Sequence, residues 1–165
     1  MKTLYLIRHA KSSWEDRDQT DFERTLNKRG EHDAPIMSKA LKEKNVVPDL
    51  IISSPAARAL ATAEIFAGEL QYPIKKIKTD ERIYESTMHE LTGVVKEIND
   101  EKKTVLFFGH NPGLTNFTNL LGDKYIAELP TCAVVGLELN VELWKETGRH
   151  CGKIFSFDYP KKHHK

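Results

Sequence analysis

Two histidines and two arginines stand at the ends of apolar runs: Arg8 and His9 close "TLYLIRH", Arg58 follows "LIISSPAAR", and His110 closes "VLFFGH". A neutral imidazole is a nucleophile toward phosphorus, and a protonated one stabilises developing oxyanions. Guanidinium groups fork an anion that carries several oxygens. These side chains together suit a phosphate dianion. His9, as the neutral tautomer, would attack in line, Arg8 and Arg58 would hold the oxygens, and a protonated His110 would stabilise charge on the equatorial ones. That scheme needs no metal and no other cofactor, because fixed positive side chains do the work that magnesium does elsewhere. Taken alone, Arg8 and His9 read equally well as a strand ending in solvated polar residues.

Each residue needs an element to place it. Thr3 to Ile7 are β-branched, aromatic or aliphatic and suit a strand buried on both faces. Strand-length apolar runs recur at "DLIIS", "TVLFFG", "AVVGLEL" and "KIFSFDY". The first three runs alternate with stretches of helical spacing, which predicts an α/β fold, a three-layer sandwich around a mainly parallel sheet. In such sheets ligands sit beyond the carboxyl ends of the strands, where Arg8, His9 and His110 fall. "SPAARALATAEIFAGEL" predicts a helix capped by Ser54 with Pro55 in first position, so that Arg58 leans back over the strand end. "MHELTGVVKEIND" and "NPGLTNFTNLLG" predict two more, the second with Asn111 as cap and Pro112 first. "LNKRGEHDAPIMSKALKEKN" contains Gly30 and Pro35, so it predicts a kinked helix or one beginning at Asp33. The last two strands, joined by "NVELWKETGRHC", form an antiparallel hairpin against which Trp144 packs. Residues 10 to 25, "AKSSWEDRDQTDFERT", are charged and aperiodic and read as a mobile loop lining a site, with Trp14 as a contact for a protein partner.

The chain has 165 residues, enough for one domain spanning 1–165 without staples, with 160–165 as a basic tail open to disorder. Its 25 lysines and arginines nearly balance 24 aspartates and glutamates, a formal charge of +1, which argues against a nucleic-acid or membrane partner. Any anion site must be local. Cys132 and Cys151 lack CxxC spacing, and no apolar run approaches a membrane span, so the expectation is a soluble, cytoplasmic protein with reduced thiols.

"RHA" after the first strand, "SSPAARALATA" and "GHNPG" resemble the signatures of the histidine phosphatase superfamily, also called the phosphoglycerate mutase-like family. The wider form "LYLIRHAKSSW…LNKRG…DLIISSPAARALATA…GHNPGL" resembles its small bacterial branch, the SixA-like phosphohistidine phosphatases, over nearly all of the chain. The resemblance implies a phosphoglycerate mutase-like fold, a phosphorylated nucleophile at His9, and a phosphate pocket of Arg8, Arg58 and His110. Ser12 matches a position where many relatives carry a phosphate-contacting hydroxyl. Many mutase-type members have glycine and asparagine where this chain has Ala10 and Glu15, so the mutase contacts do not carry over. The family's general acid is a glutamate between the Arg58 helix and the second histidine. Glu85 in "DERIYEST" stands at that place, Glu81 competes, and SixA-type members can lack the acid. Arg24 could supply a third guanidinium or make a surface salt bridge, and Asn111 completes the substrate-binding set.

Between His9 and Arg58 lie 48 residues and between Arg58 and His110 lie 51, nearly filled by the predicted elements, which leaves no room for a cap domain. An open site favours phosphate on a protein over a small sugar phosphate. An imidazole, with a pKa of about 6.5, also leaves without a strong acid, unlike an alkoxide. The leading expectation is a metal-independent phosphatase acting on phosphohistidine in a protein domain. A phosphomonoesterase or mutase for a small phosphate ester and a non-catalytic phosphate-binding module are the alternatives.

Overall fold

The computed structural model describes residues 1–14 and 18–164. Strand β1 (Lys2–Arg8) alternates its side chains between two apolar layers: Leu4 and Leu6 enter one core, Tyr5 and Ile7 the other. A strand buried on both faces must have neighbours on both edges, and β1 pairs parallel with β4 (Thr104–Gly109) and antiparallel with β5 (Val134–Leu139). The sheet is completed by β2 (Leu50–Ser53), the short β3 (Lys78–Thr79) and β6 (Gly152–Asp158), in the order β3-β2-β4-β1-β5-β6. The four strands on the β3 side are parallel, and β5 and β6 form the expected antiparallel hairpin. Trp144, fully buried beside that hairpin, donates from Nε1 to the Lys102 carbonyl at 2.7 Å.

Helices α1 (Lys28–Glu43) and α2 (Ala57–Glu69) cover one face of the sheet. Helices α3 (Met88–Lys96) and α4 (Gly113–Leu121) cover the other. The chain leaves β1 toward one face and β4 toward the other, so a crevice opens between their carboxyl ends.

Two local readings need correction, the starts of α1 and α2. Helix α1 is continuous from Lys28, capped by the Asn27 side chain on Gly30 N–H at 2.9 Å. Pro35 is tolerated because it lies on the exposed side, where the carbonyl of Glu31 that it leaves unpaired can meet water. Helix α2 starts at Ala57, two residues beyond Pro55, and Ser54 Oγ accepts from Ala56 N–H at 3.1 Å, one residue ahead of it. In the basic tail Pro160–His163 is a 3₁₀ turn, His163 Nε2 pairs with Asp158 at 2.8 Å, and His164 reaches Asp33 at 3.7 Å. The 10–25 stretch is tied down at both ends by a Ser12–Leu26 bridge and by Ser13 N–H on the Thr25 carbonyl at 2.9 Å; Glu15 lies outside the described residues.

Candidate active site

The parallel pairing of β1 with β4 sets Arg8 opposite Gly109, so His9 and His110 leave the sheet side by side, ring centres 5.1 Å apart. Both rings are buried. His9 Nδ1 lies 2.7 Å from the Ala10 carbonyl, which can only accept; Nδ1 therefore carries the hydrogen and Nε2 keeps its lone pair. Burial, reinforced by Arg58, Arg8 and Arg24, holds the His9 pKa down at about 4, so the ring is neutral at pH 7, as the nucleophile reading requires.

His110 departs from expectation. Burial, then His9 and Arg58, push its pKa down to about 3, so in this state it is neutral rather than an imidazolium. Its Nε2 is 2.8 Å from Ser54 Oγ, which accepts from Ala56 N–H at 3.1 Å. Ser54 is fully buried, and His110 Nε2 is the acceptor its hydroxyl hydrogen meets among the described residues, which assigns that hydrogen to Nε2 and the imidazole hydrogen to Nδ1, itself without a protein partner among them. His110 is still a donor, through Nδ1–H.

Three guanidiniums face the two imidazoles. Arg8 donates from Nη1 to the Leu129 carbonyl at 2.8 Å. Arg58, in the first turn of α2, donates to the Asp21 carbonyl at 2.6 Å and to Asp21 Oδ2 at 3.1 Å. Arg24 is buried rather than part of a surface pair; it donates to Ser12 Oγ at 2.6 Å and to Asp21 Oδ1, and its guanidinium stacks 3.4 Å from the centre of the exposed Trp14 ring. Ser12 therefore enters the site as the acceptor of Arg24.

Arg8, His9, Ser12, Arg24, Arg58, Glu85, His110 and Asn111, all expected at a site, share one cavity of about 370 Å³ with Lys11, Asp21 and Tyr84. Glu85 stands on its exposed rim at φ 52°, whereas Glu81 is not on the cavity wall. Asn111 borders the cavity, but its amide is spent on structure: Nδ2 donates to the Leu129 carbonyl at 2.9 Å, and Oδ1 accepts from Thr115 N–H and Oγ1. Those bonds hold the start of α4 from the residue before Pro112.

Asp21, Tyr84 and Ser54 escaped sequence reasoning as site residues. Asp21 sits in an aperiodic stretch and Ser54 reads as a helix cap, so only the assembled sheet edge reveals them. Tyr84 meets His110 edge-on at 5.6 Å.

Four buried polar side-chain atoms have no protein partner among the described residues; one is Thr147 Oγ1, and the others are Arg8 Nε, Arg58 Nε and His110 Nδ1. Buried donors are normally paired, at a cost of about 1–3 kcal/mol when they are not. Arg8, Arg58 and His110 line one cavity, a setting that suits an anion with several oxygens. No cluster of metal-ligating side chains occurs among the described residues, and none of their helices is long and apolar enough to cross a membrane.

The sequence profile of the histidine phosphatase superfamily (branch 1) matches residues 4–124. The chain is 28% identical over 153 residues to an uncharacterised chloroplastic protein of Arabidopsis thaliana, covering 88% of this chain and 70% of that one. It is 34% identical over 106 residues to a 2,3-bisphosphoglycerate-dependent phosphoglycerate mutase of Bifidobacterium longum, a match over 60% of this chain and only 43% of the mutase. In fold it superposes on the protein histidine phosphatase SixA complexed with tungstate at a TM-score of 0.83, with 18% identity, over 98% of this chain and 99% of that one.

Proposed function

The chain belongs to the histidine phosphatase superfamily and is a phosphatase-type hydrolase; on that premise we propose that it removes phosphate from phosphohistidine in a protein, through a phosphohistidine intermediate at His9. The observation that carries the reading is that Arg8, Arg58 and His110, each with a buried side-chain nitrogen that has no protein partner among the described residues, line the cavity that holds His9. His9 Nε2 attacks phosphorus in line while Arg8, Arg58 and His110 stabilise the charge on the equatorial oxygens. The leaving imidazole departs from the opposite side and takes a proton. Water then attacks the phosphorus on His9, and inorganic phosphate leaves with the original His9 tautomer restored.

Support for a protein substrate comes from the shape of the opening. The cavity continues, across Arg8, Lys11 and Thr131, into an open trough of about 500 Å³ floored by Pro130, Phe157 and Tyr159. A small phosphate ester would leave that trough uncovered, whereas a polypeptide flanking the phosphorylated residue covers it.

The test is phosphate release from a phosphohistidine-bearing protein domain in excess chelator, beside His9→Ala. Release by the wild type alone is expected. Equal release by both proteins would remove His9 from the chemistry. No release by the wild type, with turnover of small esters, would replace the protein substrate by a metabolite.

A further inference from the structure

Asp21 lies on the wall of the candidate phosphate cavity, an odd place for a carboxylate. Its Oδ1 accepts from Arg24 Nε at 3.2 Å and Nη2 at 3.1 Å, and its Oδ2 accepts from Arg58 Nη2 at 3.1 Å and from the Tyr84 hydroxyl at 2.6 Å. An aspartate among arginines can play one of two parts: an internal anion that phosphate must displace, or a strut that holds the arginines for it.

The contacts favour the strut. Arg58 spends its terminal edge on Asp21, Nη1 on the main-chain carbonyl at 2.6 Å and Nη2 on the carboxylate, while its buried Nε stays unpartnered. Arg8 has the same arrangement, with Nη1 held by a carbonyl and Nε left over. The strut is itself anchored, since Ala57 N–H donates to the Phe22 carbonyl at 3.0 Å and fixes the main chain next to Asp21 against the start of α2. The hydrogen bond from Tyr84, then those from Arg58 and Arg24, hold the Asp21 carboxyl down at about 2, so the strut is charged at any working pH.

We propose that Asp21 is a positioning residue for phosphoryl transfer: it locks Arg24, Arg58 and Tyr84 together on the cavity wall so that the Arg58 guanidinium is held in one place for the phosphoryl group. This rests on the phosphatase reading above. Removing the carboxylate makes the cavity more positive, which by itself would tighten an anion. It also frees two long side chains that then repel each other and must be ordered anew each time an anion binds. Positioning and displacement thus predict opposite signs.

The experiment is calorimetric titration of tungstate into the wild type, Asp21→Ala, Asp21→Asn and Tyr84→Phe, with thermal melts and p-nitrophenyl phosphate turnover on the same samples. Both Asp21 variants are expected to bind tungstate about tenfold or more weakly, and Tyr84→Phe a few-fold more weakly, each with a raised KM and a lowered kcat. Unchanged or tighter binding by folded Asp21→Asn overturns the proposal, as does a loss of melting temperature without a loss of affinity. If Asp21→Ala fails to fold, Asp21→Asn and Tyr84→Phe decide the sign. A wild type that binds tungstate but turns over no phosphate compound loses the phosphatase reading alone, and one that binds no tungstate loses both.

Discussion

Two neutral imidazoles buried against three guanidiniums should make the protein sensitive to acid in a specific way. In the unfolded chain a histidine titrates near 6.5, whereas in the fold His9 is held at about 4 and His110 at about 3. At pH 7 both states hold mostly neutral rings and little stability is at stake. As pH falls below about 6.5 the unfolded chain takes up the protons first, so stability is lost progressively until the folded rings titrate. Between pH 7 and pH 5 the loss is about 2 kcal/mol for each ring. The two losses share a coupling, because His9 itself helps to hold His110 down. Urea unfolding at pH 7 and pH 5, followed by the emission of the buried Trp144, should show the wild type losing about 2 kcal/mol more over this interval than His9→Gln, and likewise for His110→Gln. Other titrating groups cancel in that comparison. A pH dependence identical in the wild type and both variants would mean that the rings titrate normally, and the neutral nucleophile would have no structural basis.

Two substitutions test other parts of the site. Glu85→Gln should slow hydrolysis of alkyl phosphates by about a hundredfold or more and spare phosphohistidine, whose imidazole leaves without a strong acid; equal loss on both substrates, measured as kcat/KM, would sink that division. Gly30→Ala should cost several kcal/mol in chemical denaturation and depress turnover, because its Cβ would run into the Lys11 carbonyl oxygen in the segment that presents Ser12; a stability within about 0.5 kcal/mol of the wild type would contradict this close approach.

The ends of β1 and β4 were legible because long apolar runs stop abruptly at Arg8-His9 and Gly109-His110, and a parallel sheet gathers such ends at one edge. Helix α2 was legible from its alanines and leucines, and the hairpin from the turn residues between its strands. Other features have no local signal. Strand β3 is two exposed residues paired with β2, and the antiparallel seam between β1 and β5 depends on where the chain goes after α4. Ser54 has the composition of a cap, and it takes a tertiary neighbour, His110, to claim its hydroxyl. The charge state of His110 is likewise a property of burial and of nearby cations, which spacing cannot report.

The charges at the site form a set that makes sense only when counted together. The cavity wall carries four cations, Arg8, Lys11, Arg24 and Arg58, against two carboxylates, Asp21 and Glu85, and its two imidazoles are neutral, a net of +2. A phosphoryl dianion brings the opposite charge, so the bound site approaches neutrality. Had His110 been an imidazolium before binding, as its residue type invites one to assume, the wall would stand at +3 and His9 would lie next to another cation. Keeping His110 neutral and letting it act through Nδ1–H preserves a directed donor at the equatorial oxygens while leaving the arginines to carry the fixed charge. The same burial that makes His9 a free base at neutral pH thus keeps His110 a donor without a charge, and the guanidinium cluster makes that division stable by penalising a proton on either ring.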